Sequence, residues 1–356
     1  MTAARRRSKF AAFGRAIAVG GALSASIPAL ALAFAPAPAQ ATTLDDVRAR
    51  GHLVCGVSEG MPGFAAINGT GTWTGFDIDV CGAVAAATLG RRDAVKYRIV
   101  TPANGFQALM AKEVDILPRA HARTISRDTE YGVRYVDTLF HDGQGFMVRR
   151  GYAVASVLEL SGASVCVMGA SSAAQGLDTY FQSRGMRYQV LTSEQWDEAV
   201  KGYAGGACTL LTGDITALAA ARSRLQAPAD HVILPELITK EKIGPVVRKG
   251  DEQWFSIVRW TIEALIAAEE LGISRQNIDS LRNAPSVDVR RFIGLEADLG
   301  RAMGLPRDWS YQIVKQAGNY GEIFDRNVGQ GSALKLDRRE NNIWTKGGLL
   351  SAPPLR

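Results

Sequence analysis

Apolar and polar positions along the first half of the chain alternate in a way that predicts strands separated by helices. The predicted strands cover residues 53–57, 96–100 and 114–117, because each is a short apolar run with strand-like spacing. The predicted helices are an Ala-rich segment from Asp77 to Gly90 and a second segment over 104–112. This alternation favours an α/β fold with a mostly parallel sheet, in which ligands bind outside the carboxyl ends of the strands.

A second α/β unit begins near Val148. Two further strands are predicted at 165–168 and 208–211, with helices after each. The polar turn at Ser171-Ser172 and the turn ending at Asp214 follow these strands directly, so both lie where such a fold binds small charged ligands. Beyond Gly244 the pattern changes to long helices, notably over 252–271.

The first 41 residues have the pattern of a cleaved secretory signal peptide. Five basic residues precede an apolar, Ala-rich run over 16–35, and Ala39-Gln40-Ala41 is a small-x-small cleavage site. Removing them takes the formal charge from +6 to +1, since five basic and no acidic residues are lost. A near-neutral mature chain gives no electrostatic case for nucleic acid binding, and we expect an exported, soluble protein in the periplasm.

All four cysteines lie in the exported part, where disulfides persist. Of the three possible pairings, Cys55 with Cys81 and Cys166 with Cys208 keeps each bridge inside one α/β unit. A metal site would need clustered ligands, but there is no CxxC and the four histidines are scattered. We therefore predict two disulfides, no metal and no cofactor.

The nine residues 120–128, AHARTISRD, follow the predicted strand 114–117 and hold two arginines and two hydroxyls. They are either a charged surface loop or a clamp for an anion. A planar guanidinium can bind a carboxylate through two parallel hydrogen bonds, which suits Arg127 to the second hypothesis.

Several motifs together resemble one family, the periplasmic amino-acid-binding proteins of ABC importers, and within it the general L-amino-acid-binding branch. The matching runs occur in the same order and at similar spacing over essentially the whole mature chain. They are Leu53-Val54-Cys55-Gly56-Val57, Trp73-Thr74-Gly75-Phe76-Asp77-Ile78-Asp79, Thr124-Ile125-Ser126-Arg127-Asp128, Asp142-Gly143-Gln144-Gly145-Phe146 and Gly318-Asn319-Tyr320-Gly321-Glu322.

The resemblance implies an α/β, two-lobed periplasmic-binding-protein fold of type II-like architecture, with two crossing hinge strands and a helical C-terminal extension. Lobe 1 would comprise residues 42–145 plus 243–356, and lobe 2 residues 146–242. The ligand would be an amino acid or related zwitterion, caught by hinge closure between the lobes. The expected partner is the membrane permease of an ABC importer, and the protein is expected to act as a monomer without enzymatic activity.

The resemblance also implies roles for single residues. Arg127 matches the carboxylate-binding arginine, Asp214 the ammonium-binding aspartate, and Ser171 and Ser172 a turn that donates to the ligand carboxylate. Each has a simpler alternative: Arg127 as an exposed loop residue, and Asp214 and Ser171 as helix caps. Met61 and Phe64 are candidates for the side-chain pocket or for the core, and the remaining ligand-binding candidates are Thr124, Ala120 and Ala122.

The chain departs from the family where Ala120-His121-Ala122 replaces a common Asn-Thr-Thr run. A hydroxyl expected near the ligand ammonium is then missing at Ala122, so the clamp is either weakened or remade for another ligand. Two other functions stay open. A dehydratase on this fold would need a proton donor, for which Glu59 is the candidate, and a sensory module would need a separate receptor.

Overall fold

The computed structural model describes residues 42–58, 60–101, 103–119, 122–169 and 171–356. The predicted signal peptide, residues 1–41, and the site candidates Glu59, Ala120 and His121 lie outside these ranges. Within the described part, no helix is both long and apolar enough to cross a membrane.

Lobe 1 contains the first elements of the described chain, which include a parallel strand pair with helices packed on it. Its elements are α1 (Thr43–Arg50), β1 (Leu53–Val57), β2 (Ala66–Ile67), β3 (Trp73–Thr74), α2 (Phe76–Leu89), β4 (Val95–Ile99), α3 (Gly105–Met110), α4 (Ile125–Glu130), β5 (Val133–Tyr135) and β6 (Phe140–Asp142). Strand β1 pairs in parallel with β4, and α2 ends at Gly90, which adopts the left-handed conformation that closes many helices.

The predicted strand at 114–117 forms only isolated bridges. The Asp115 amide donates to the Val54 carbonyl and the Gly56 amide to the Ile116 carbonyl, at 2.8 and 2.9 Å, so the segment lies beside β1. Ile116 bridges to Cys55, whereas Leu117 bridges to Val246 on the other side. Because the segment makes one bridge to Cys55 and then one to Val246, it does not form a regular strand with either partner.

Lobe 2 holds a five-stranded sheet in the order β11-β7-β10-β8-β9. Its elements are β7 (Gln144–Arg149), β8 (Ser164–Met168), α5 (Ser172–Gln182), β9 (Gln189–Ser193), α6 (Trp196–Ala204), β10 (Leu210–Asp214), α7 (Ile215–Arg224) and β11 (His231–Ile233). The pairs β10–β8 and β8–β9 are parallel, but β7 runs antiparallel to β10 and β11. The sheet is mixed because β7 carries the chain into the lobe and β11 carries it back.

The two crossings between the lobes lie side by side. Strand β6 pairs antiparallel with β12 (Glu241–Ile243), and β5 with β13 (Val246–Arg248). At the first crossing a Cβ on Gly143 would lie 2.3 Å from the Thr239 carbonyl oxygen, so this close approach requires glycine. These two touching segments are the crossing hinge strands that the resemblance implies.

The C-terminal part is helical and packs back onto lobe 1. It comprises α8 (Glu252–Glu270), α9 (Val287–Phe292), α10 (Trp309–Ala317) and α11 (Tyr320–Asn327), with one short 3-10 helix between α8 and α9 and one between α9 and α10. The tail beyond α11 reaches the hinge, since Asn341 bonds both backbone groups of His141 in β6. It also contacts lobe 2, where Arg222 donates to the Leu334 carbonyl.

Each lobe has its own apolar core and its own disulfide. The larger core surrounds α2 and α8 in lobe 1, while the lobe 2 sheet carries a cluster on each face. Disulfides join Cys55 to Cys81 and Cys166 to Cys208, in agreement with the predicted pairing. Both bridges therefore tie a strand to its neighbouring elements inside one lobe.

Candidate ligand-binding site

Asp214 is the last residue of β10, and it lies opposite Gln144, the first residue of β7. Because β10 ends where the chain enters the lobe, this carboxylate is placed at the crossing and faces the cleft between the lobes. Asp214 occupies the position before the first turn of α7, but its side chain makes no capping hydrogen bond. Burial raises the pKa of Asp214, and the nearby charge of Arg119 opposes that rise.

Arg119 is the cation that faces Asp214 from lobe 1. Its side chain is 11% exposed, its Nε lies 3.2 Å from Oδ1 of Asp77, and its guanidinium stacks 4.2 Å above the Phe64 ring. It also donates to the sulfur of Met61. This arginine was not among the predicted site residues, although its place two residues after the strand-like segment 114–117 is a signal that could have identified it.

The Asp-x-Asp pair at the start of α2 explains how Arg119 is held. Asp77 pairs with Arg119, which lines the cleft, and burial raises the pKa of Asp77 against the influence of that arginine. Asp79, two residues later, instead binds Arg92 and Arg326, the latter from the C-terminal extension. The motif therefore anchors two different surfaces of lobe 1, one of which is the wall of the cleft.

Arg127 lies on the short helix α4, half-buried, and its Nη1 donates to the Ala122 carbonyl at 2.9 Å. Thr124 caps this helix by accepting the Arg127 amide. Its neighbour Arg123 is neutralised by Asp128 at 2.6 Å, whereas Arg127 forms no ion pair among the described residues. The segment after residue 121 thus contains one paired arginine and one whose charge is available.

The hydroxyl of Ser171 is engaged locally. It donates to the Met168 carbonyl and accepts the Ala174 amide at 3.2 Å, so it caps α5 as the simpler alternative expects. Ser172 is the first residue of that helix, and its side chain lies outside the described part. What this turn can offer a ligand here is its backbone amides at a helix start.

The cleft between the lobes has a volume of about 820 Å³, and residues of both lobes line it. Met61, Arg119 and Asp214 lie on its walls. Phe64 does not, because it is fully buried in the lobe 1 core beneath Arg119. Ala122, Thr124 and Arg127, all in the described part, lie outside the lining of the cleft in this structure.

Comparison with known proteins agrees with this architecture. Residues 53–276 match the family described as bacterial extracellular solute-binding proteins, family 3. The chain belongs to this family. This membership accounts for the two lobes, the crossing strands and the cleft between them.

Relatives of this solute-binding protein match it over nearly their full length. It is 46% identical to the general L-amino acid-binding periplasmic protein AapJ of Rhizobium johnstonii, covering 94% of this chain and 98% of that one. It is 44% identical to the glutamate/glutamine/aspartate/asparagine-binding protein BztA of Rhodobacter capsulatus, covering 89% and 94%. A Brucella ovis periplasmic binding protein solved with glutathione bound is 44% identical, with a TM-score of 0.81 and coverage of 89% and 100%.

Two further carboxyl groups of the solute-binding protein lie at the crossing and were not predicted as site residues. Burial and the neighbouring Asp214 raise the pKa of Asp142 to about 6, although Thr216 Oγ1 donates to it at 2.5 Å. Burial, then Asp214 and Asp142, raise the pKa of Glu241 to about 7, and Arg127 opposes this rise. The crossing therefore concentrates negative charge beside Asp214, which favours a cationic group of a ligand.

Proposed function

We propose that the protein is the periplasmic substrate-binding component of an amino-acid ABC transporter. It captures an amino acid or related zwitterion between its lobes and delivers it to the membrane permease. The observation that carries the proposal is Asp214, a largely buried carboxylate that lines the cleft at the crossing and makes no capping hydrogen bond. The names of the AapJ and BztA relatives support an amino acid as ligand.

In the proposed site, each of the two charged groups of the ligand has its own binding residues. The ammonium group would bind Asp214, with Asp142 and Glu241 adding negative potential behind it. The carboxylate would bind Arg127, whose planar guanidinium supplies two parallel donors, together with the amides at Ser171 and Ser172. Since Arg127 does not line the open cleft, closure of the lobes must bring it to the ligand.

The lobe boundaries belong to the same proposal. Residues 42–145 and 243–356 would move as one body and residues 146–242 as the other, with bending near Gly143 and in the return segment before Glu241. The pairing of β5 with β13 in one lobe and of β7 with β11 in the other supports this division. Export to the periplasm, action as a monomer and a role without catalysis complete the proposal.

Calorimetric titration tests this function on the mature protein, unfolded and refolded to remove carried-over ligand. The panel holds the twenty amino acids, opines and simple dicarboxylates, with thermal shift as a first screen, because a ligand at a hundred times its Kd stabilises the folded state by about 2.7 kcal/mol. Arg127→Ala and Asp214→Ala should each abolish measurable binding, since each leaves a ligand charge unpaired in the closed cleft.

Two matched controls make the test specific. Arg123→Ala removes an arginine from the same segment, but one that Asp128 already neutralises, and Asp93→Ala removes an aspartate whose side chain is 80% exposed. Both should bind like the parent protein. Normal binding by both Arg127→Ala and Asp214→Ala would refute the proposed site.

A second ligand class deserves the same titration because of the Brucella ovis relative, which was solved with glutathione bound. Glutathione carries an amino-acid head group with the same ammonium and carboxylate, so the same grip suits it. We include it in the panel as a peptide-like zwitterion.

A further inference from the structure

The cleft extends well beyond the residues that would grip an amino-acid head group. Its 820 Å³ lies near the upper end of the range of about 300 to 1,000 Å³ for sites that hold drug-sized ligands. On the lobe 2 side its lining continues from Asp214 along α7 to Arg224, and across to Gln195 and Asp197 at the start of α6. A free amino acid held at Asp214 leaves this part of the cleft unused.

One face of α7 forms the floor of this extension. Asp214, Ala217, Ala220 and Arg224 all line the cleft, and their spacing of three, three and four residues places them on one side of a helix. The two alanines leave room above the helix. Ten residues at about 1.5 Å each separate the backbone of Asp214 from that of Arg224 by roughly 15 Å.

Arg224 closes the far end of this floor. Its nearest carboxylate is Asp197, at 4.0 Å, and the two side chains are 49% and 73% exposed. An ion pair at that distance and exposure contributes little, so a competing carboxylate can replace it at small cost. Long side chains on a helix tend to lean toward its N-terminus, so an Arg224 rotamer that points toward Asp214 would shorten the span a ligand must bridge.

We propose that Arg224 forms a distal subsite for the second carboxylate of a peptide-like ligand about three residues long. The inference rests on the proposed function, because the head group of that ligand is held at Asp214 and Arg127. A three-residue chain extends about 10 Å, and the reach of the Asp214 and Arg224 side chains would cover the rest of the roughly 15 Å between their backbones. The side chain of a free amino acid is too short to do so.

Titration with S-methylglutathione tests the subsite on the mature protein. Its blocked thiol cannot exchange with the two disulfides. The variant Arg224→Gln should weaken S-methylglutathione binding roughly five- to tenfold while leaving L-glutamate unchanged, since one charge-assisted contact is lost only for the longer ligand. Asp197→Asn should tighten S-methylglutathione, because the competing carboxylate is gone.

A change in the ligand tests the same contact independently of the variants. S-methylglutathione with its glycine carboxyl converted to the amide should bind the parent protein as weakly as the unmodified ligand binds Arg224→Gln, and should lose nothing further in that variant. This non-additivity is the signature of a direct pair. Arg91→Gln, which changes an exposed arginine of lobe 1 that does not line the cleft, is the matched control and should leave both ligands unaffected.

The failure of this inference differs from failure of the proposed function. If L-glutamate or another amino acid binds but S-methylglutathione does not, or if Arg224→Gln binds it normally, the subsite is wrong and the head-group grip stands. If neither S-methylglutathione nor any amino acid binds the parent protein, both proposals fall. Equal losses for long and short ligands in Arg224→Gln would also overturn the subsite.

Discussion

Glu241 lies directly opposite Asp142 in the antiparallel pair that the two crossing strands form. Like charges at opposed positions of a strand pair repel, and Asp214 stands close enough to add to the repulsion. Burial first, and then this repulsion, raises the pKa of Asp142 and of Glu241, so both carboxyl groups hold their protons more tightly than ordinary ones. A ligand ammonium bound at Asp214 would reverse this preference.

This relationship predicts that ligand binding releases protons. The pKa values of Asp142 and Glu241 are raised to about 6 and about 7, and a bound cation should lower both. At a pH where these two carboxyl groups are still protonated in the unbound protein, binding must displace their protons, which weakens it. The association constant should therefore rise by roughly tenfold between about pH 5.5 and 8 and then level off. Titrations in buffers of different ionisation enthalpy at pH 7 measure the released protons.

Glu241→Gln is the decisive variant for that prediction. It keeps the size of the side chain but cannot titrate, so the rise in affinity between about pH 6 and 8 should flatten. The control variant Glu252→Gln, which changes an exposed side chain, should leave the pH dependence of affinity unaltered. Affinity independent of pH in the parent protein, with no proton release, would rule the coupling out.

A different carboxyl group, that of Glu263, should make the protein less stable as pH rises. Glu263 in α8 is 4% exposed, and burial, then the charge and hydrogen bond of Asp137, raise its pKa to about 8. Its folded-state pKa exceeds its unfolded value, so the stabilising contribution is complete below about pH 4.5 and is lost as pH passes about 8. We expect the free energy of unfolding to decrease over this window by up to about 5 kcal/mol.

The change Glu263→Gln should remove most of that pH dependence, because the amide keeps the shape of the protonated acid without its titration. Urea unfolding at pH 5, 7 and 9 measures the effect. Glu113→Gln, an exposed side chain on the same lobe, serves as the control. A parent protein equally stable at pH 5 and 9 would contradict the prediction.

Both disulfides should stabilise the fold through the chain they close. The bridges span 26 and 42 residues, so in the loop-entropy description their removal costs about 3.5 and about 4 kcal/mol. The double variants Cys55→Ala with Cys81→Ala, and Cys166→Ala with Cys208→Ala, should lower the denaturation midpoint accordingly. Peptide mapping without reduction should find no bridge between the lobes, and such a bridge would refute the pairing.

The departure at Ala122 leads to a prediction about ligand choice. Ala122 is half-buried and its carbonyl accepts a hydrogen bond from Arg127, so this residue lies next to the arginine of the proposed grip. If the site has been remade for a larger ligand, Ala122→Thr and the isosteric Ala122→Val should both weaken that ligand by crowding, by about fivefold or more. Titration of both variants with amino acids and S-methylglutathione measures this.

The same pair of variants separates the alternative. A merely weakened general binder would regain a hydroxyl with threonine alone, so Ala122→Thr would tighten L-amino acids about tenfold while Ala122→Val would not. That outcome would contradict a remade site. No change in either variant would show that the side chain at 122 does not approach the ligand.

The elements nearest the site could be predicted from local pattern alone. The apolar run 53–57 and the helix ending at Gly90 appear as β1 and α2 because periodicity and a helix-stopping glycine act within a few residues. Asp214 could be placed at a strand end for the same reason, although the strand extends to Asp214 itself instead of stopping at 211. The segment 114–117 resembled a strand equally well, but its bridging partners are decided by the return chain at Val246.

Local sequence pattern was sufficient to predict the order of strands and helices, a signal peptide, the pairing of cysteines within each unit and the strand ends that carry the charged side chains of the proposed site. The tertiary structure alone decided that Phe64 is buried beneath Arg119, that the Ser171 hydroxyl caps its own helix, and that Glu241 faces Asp142. The physical reason is the distance along the chain over which each kind of interaction acts. Periodicity and turn chemistry act between near neighbours in the chain, whereas burial and strand register depend on packing between segments that the chain brings together only when it folds.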